Sequence, residues 1–175
     1  MDSVWVGTIG VLGGVVVGAA SQAWLARASF KREKAWAESD EQRARLERVW
    51  AAVDQVEEGY NYTYREMMTM LAAKKLSVPT FPEGKIPWTH LRLLVHLYLP
   101  RLIPQLDALY DAGNKFGIAA GVGVGMAIEG GADEAATKKL VAASKKTFGE
   151  AVKTMKDAIL AESEELNKQR QRVTS

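Results

Sequence analysis

Cysteine is missing from the chain altogether. Its absence excludes disulfides, cysteine nucleophiles and thiolate zinc sites, and it fits a reducing compartment. Histidine is nearly missing: His90 and His96 are the whole imidazole inventory. They stand six positions apart, off a common helical face, with no carboxylate at ligand spacing between them, so neither a metal nor another cofactor is expected. Excess charge is missing too. Lys plus Arg number 23 against 21 Asp plus Glu, and the resulting +2 is too small to argue for a nucleic-acid partner. Glu57-Glu58 and Glu164-Glu165 are adjacent carboxylates, but neighbours on a helix diverge by about 100° and cannot share a substrate as an acid-base pair. Gly121-Val122-Gly123 has no third glycine at dinucleotide spacing, and no Gly-Lys-Ser or Gly-Lys-Thr follows it, so neither phosphate loop is present. No motif names a reaction, and the expectation is that the protein is not an enzyme.

What the chain does have begins at its start. Residues 4–26 carry no formal charge. As a helix they would rise through roughly 34 Å, enough to cross a hydrocarbon core of about 30 Å. Trp5 and Trp24 lie 19 positions apart, roughly 28 Å along such a helix, which suits one indole anchor at each membrane-water interface. Gly10, Gly14 and Gly18 recur every four residues, and Gly7 and Gly13 broaden the same smooth surface. Two overlapping G-x-x-x-G patterns of this kind let membrane helices approach closely and self-associate. Only Asp2 and the terminal amine precede the run, whereas Arg27, Lys31, Arg32 and Lys34 follow it. The positive-inside bias therefore predicts a single-pass protein of the plasma (inner) membrane with its N-terminus outside and its bulk cytoplasmic. A cleavable signal peptide would place positive charge before the apolar run. A glycine-rich core helix would usually keep one polar face.

Between Phe30 and Leu76 there is no proline, and Gly59 is the only glycine, so the span continues as a rod. Residues 27–45 are mixed in charge, as expected of a solvated stalk with i,i+4 ion pairs. From Leu46 the pattern turns amphipathic. Leu46, Trp50, Val53, Tyr60, Tyr64, Met67 and Leu71 form a stripe with Glu57 as its polar interruption, and Val49, Val56 and Met70 widen it, as in a packing helix with a coiled-coil-like seam. Pro79, Pro82, Gly84 and Pro87 then break the chain and predict a reversal. Thr89 is a candidate N-cap for a second helix, apolar on nearly every side and read as buried, and Pro100 starts a new helical piece with Pro104 in its first turn. Residues 113–131 form a second glycine-rich tract, read as a small-residue helix or turn packed closely on its neighbours, or as a segment meeting the membrane. A last helix starts at Asp133, carries Val141, Phe148, Val152, Met155, Ile159 and Leu166 inward, and frays over residues 171–175.

The predicted fold is all-α: a transmembrane helix over residues 1–26, a stalk over 27–45, and an antiparallel cytoplasmic bundle over 46–170 with helices near 46–76, 89–113 and 133–170. The candidate packing residues are Gly7, Gly10, Gly14 and Gly18, with Trp5 and Trp24 as interface anchors. Arg92 and His96 form a candidate polar pair at i,i+4 in an otherwise apolar helix, with hydrogen bonding inside the bundle as its simplest role. The pair is similar to the arginine and histidine of HEPN ribonucleases, which are helical and separate the two by four to six residues. Here three residues separate them, and the resemblance implies ribonuclease activity only as a remote alternative. The expected partners are the lipid bilayer and further copies of the chain in a homo-oligomeric scaffold or pore-like effector. The alternative is a tethered receptor or adaptor whose bundle binds a protein or small ligand.

Overall fold

The computed structural model describes the backbone of residues 3–77 and 86–174, and side chains from Arg27 onward apart from residues 28, 32, 35, 78–85 and 172–175. It is all-α, with no strand among the described residues. Helix α1 runs Ser3–Ala73, α2 Trp88–Tyr98, α3 Ile103–Ile118, α4 Val124–Ile128 and α5 Glu134–Thr174. A 3-10 turn, Pro100–Leu102, links α2 to α3, and a π turn, Ala119–Gly123, joins α3 to α4. Two compact units divide the chain: Met1–Gln42 with Leu166–Ser175, and Arg43–Glu165. From Arg27 onward no helix is long and apolar enough to cross a membrane. The expected span at residues 4–26, with Gly7, Gly10, Gly14, Gly18, Trp5 and Trp24, lies outside the described side chains.

In the unit 43–165, α1 turns Leu46, Val49, Ala52, Val53, Val56, Tyr60, Met70 and Leu71 inward. Trp50, Tyr64 and Met67, part of the expected stripe, sit at its half-buried edge. There the two aromatics work through their polarity: Lys156 Nζ lies 5.5 Å from the Trp50 ring centroid and Lys145 Nζ 4.5 Å from that of Tyr64. From α5 come Val141, Phe148, Val152, Met155 and Ile159. Rising numbers on α1 meet falling numbers on α5, as Glu57 meets Lys156, Tyr60 meets Phe148 and Tyr64 meets Lys145, so the two run antiparallel.

Helix ends follow local chemistry. Asp133 caps α5, accepting from the Ala135 N–H at 3.1 Å and the Ala136 N–H at 3.2 Å. The cap expected at Thr89 is not made: the cap position falls two residues earlier, at Pro87, with no side-chain cap bond. Pro100 and Pro104 each sit in the first turn of a helical piece, where a missing N–H costs least. α1 and α4 end in the same way. Lys75 N–H donates to Met70 C=O and Lys74 N–H to Leu71 C=O, just as Gly131 N–H donates to Met126 C=O and Gly130 N–H to Ala127 C=O. The left-handed residue is Lys74, directly after α1, at φ 50°, and Gly130, two residues past the end of α4, at φ 80°. α5 continues to Thr174, past the point where fraying was expected, in a stretch without proline or glycine.

α2 corrects a reading from composition. Only Leu91, Leu94 and Val95 are buried, while Leu93 and Leu97 are 55% and 62% exposed. Eleven residues bury one face against the bundle, and apolarity on the other side does not supply a neighbour.

Candidate functional site

The interior of the unit 43–165 is organised around Tyr60. Its ring stacks on Phe148 at 4.2 Å between centroids, leans on Phe116 at 5.4 Å, and meets Trp88 edge-on at 6.0 Å. The Trp88 Nε1–H donates to Tyr60 Oη at 3.3 Å. Burial pushes the Tyr60 phenol above its ordinary pKa; the Trp88 hydrogen bond works the other way without cancelling that effect. Gly113 is why α3 can come so close. A Cβ there would stand 2.7 Å from Tyr60 Oη and 2.9 Å from Trp88 Cζ2. The cluster therefore joins α1, α2, α3 and α5 at one point.

Beside it lies the polar seam between α1 and α5. Lys156 Nζ is 2.6 Å from both Asp54 Oδ1 and Glu57 Oε2. Partial burial opposes its charge, but the hydrogen bonds to Asp54 and Glu57 outweigh that and hold the ammonium above its ordinary pKa. Next to this lock is a groove of about 360 Å³ lined by Glu57, Asn61, Lys145, Lys146, Phe148 and Gly149. It presents two ammonium groups, one amide and a carboxylate already neutralised by Lys156. That set suits recognition of a polar or anionic group rather than proton transfer, since Glu57 is engaged and its neighbours are cations.

Arg92 and His96 share the exposed face of α2. Among the described residues neither makes a hydrogen bond or ion pair, and both are exposed rather than inside the bundle. Glu58, the other half of one carboxylate pair, is exposed while Glu57 turns inward to Lys156. The Lys156 lock was missed because its lysine looked like one of several on α5. The usable signal was Glu57 interrupting the α1 stripe: a carboxylate on a buried face needs a cation opposite. Among the described residues no group of three or more His, Asp or Glu is placed to hold a metal ion. No protein family, curated protein or solved structure matches the chain.

Proposed function

We propose that the protein is a single-pass protein of the plasma (inner) membrane, N-terminus outside, whose copies associate through the glycine face of the span and through the cytoplasmic helices to form a structural scaffold. The observation that carries this reading is the continuity of α1. One helix of 71 residues joins the uncharged stretch to the packed bundle without a break, so helices brought together in lipid would bring their bundles together as well. Arg27, Lys31, Arg32 and Lys34 follow that stretch directly, on the side where the positive-inside rule puts cytoplasm. A scaffold is favoured over a pore because Thr8, Ser21 and Gln22 are the only polar side chains of the stretch. No catalysis is part of the reading.

A second reading, a tethered receptor or adaptor, is favoured by the groove at Glu57, Asn61, Lys145 and Lys146. The two separate on the mass of the full chain in detergent, measured by light scattering for wild type and for Gly10→Leu with Gly14→Leu. A discrete wild-type oligomer that the double variant breaks supports the scaffold. Two monomers would sink it and turn attention to the groove.

A further inference from the structure

Along α3, the π turn and α4, one face has no cover within its unit. Ile118, Val122 and Met126 are 64%, 58% and 49% exposed. A Cβ placed on Gly117, Gly121 or Gly125 would meet nothing within 4 Å. Both sets recur every four residues. In a regular helix of about 3.6 residues per turn such rows drift sideways by roughly 40° per step. The π turn Ala119–Gly123 takes up that drift, because i→i+5 bonding winds more residues into a turn. The result is two straight rows side by side, one of apolar knobs and one of bare backbone.

We propose that this face binds the same face of a second copy of the chain, antiparallel, about a two-fold axis passing between Gly121 and Val122. In that register Ile118 stands against Gly125 of the second copy, Val122 against Gly121 and Met126 against Gly117, so each knob meets a groove. The charges select the direction. Lys115 and Glu129, both exposed, lie beyond opposite ends of the rows, and among the described residues neither is in an ion pair. Antiparallel pairing sets Lys115 beside Glu129 of the second copy at both ends, whereas parallel pairing would set lysine against lysine and glutamate against glutamate. Three knobs a side bury less than the roughly 800 Å² per partner of a standard interface, so the contact is concentration-dependent. It rests on the self-assembly reading in taking a second copy as the partner, but it does not require the span.

The absence of native cysteine makes the test direct. In the full chain in detergent, Val122→Cys, close to the axis, cross-links to a dimer under mild oxidation. Ile118→Cys alone and Met126→Cys alone do not, and the two together do, with a peptide joining 118 to 126. Lys115→Glu or Glu129→Lys lowers the cross-linking yield roughly threefold, as expected for exposed ion pairs, and the double exchange restores it. Circular dichroism melts confirm that each variant is folded.

Efficient cross-linking of Ile118→Cys alone would mean parallel pairing and overturn the proposal. So would a folded Val122→Cys that stays monomeric, or one whose attached polarity-sensitive dye reports lipid when liposomes are added. Span association is read separately. An oligomeric wild type whose Val122→Cys form does not cross-link overturns this inference and leaves the span reading standing. Cross-linking that persists with Gly10→Leu and Gly14→Leu present supports the inference even where the span reading has failed.

Discussion

Glycine serves opposite ends on the two sides of one helical path. At Gly113 the missing side chain lets α3 press against Tyr60 and Trp88, and the site is buried. At Gly117, Gly121 and Gly125, four to twelve residues further on, the same absence leaves open space beside exposed Ile118, Val122 and Met126. The closed side also holds Phe116, Ala119, Ala120 and Val124, all buried. What separates the sides is whether another element of the same unit arrives to use the room. The residues named on both sides are glycine or apolar, so polarity does not tell them apart.

The comparison breaks most sharply at Phe116, which is fully buried. Phe116→Ala should cost about 3–5 kcal/mol in chemical denaturation, because it empties space among Tyr60, Phe148 and α3. A loss under about 1 kcal/mol would mean that the closed side is not a packed core. Gly113→Ala is the next test. Its Cβ must displace Tyr60 or Trp88, so a destabilisation of about 1–3 kcal/mol is expected, with the Trp88 fluorescence altered as its Nε1–H loses Tyr60 Oη. Stability equal to wild type would remove the distinction between Gly113 and the open glycines.

Behind the closed side, α1 is fastened to α5 through Lys156, which pairs with Asp54 and Glu57, and through Tyr60, which stacks on Phe148; both pKa values are raised on folding. A raised value in the folded state means stability that is fully present below the unfolded value and lost as pH rises through the folded one. Melting temperatures should therefore hold through neutral pH and fall above about pH 10. Tyr60→Phe and Lys156→Met should each flatten that fall, and a melting curve indifferent to alkali would contradict the geometry.

On the open side the sign reverses. Gly121→Ala should stabilise the monomer by about 0.5–1 kcal/mol, since a mid-helix glycine costs backbone entropy and nothing blocks the new methyl. A loss of stability would show that the space is used within the chain. The smallest effect belongs to the helix ends. Lys74 and Gly130 occupy the same left-handed position of the same motif. Lys74→Gly should raise stability by up to about 1 kcal/mol, while Gly130→Ala should lower it by a similar amount. Urea midpoints of the pair read out both.

Much of this fold was legible beforehand. Val141, Phe148, Val152, Met155 and Ile159 announced the α5 face by spacing, Asp133 its start, and Pro100 and Pro104 the entry to α3. The cap at Thr89 was misplaced because Pro87 already fixes the backbone that opens α2. Leu93 and Leu97 looked buried because apolarity was read without knowing how many neighbours α2 would have. At the candidate site, Glu57 was visible as an interruption, but its partner Lys156 is 99 residues away and nothing local distinguishes it from the lysines around it.

The amino-acid sequence by itself determined the helical class, the long uninterrupted α1, the helical starts behind Pro87 and at Pro100, and the uncharged stretch at residues 4–26; the reversal expected at Pro79, Pro82 and Gly84 lies outside the described residues. The features so determined depend on backbone propensity and on short-range patterns of charge and apolarity. Only tertiary structure decided which glycines admit a neighbour, which leucines go uncovered and which lysine is locked to Asp54 and Glu57. Those outcomes depend on elements distant in sequence meeting in space, and the residues concerned carry the same local signature whether the neighbour comes or not.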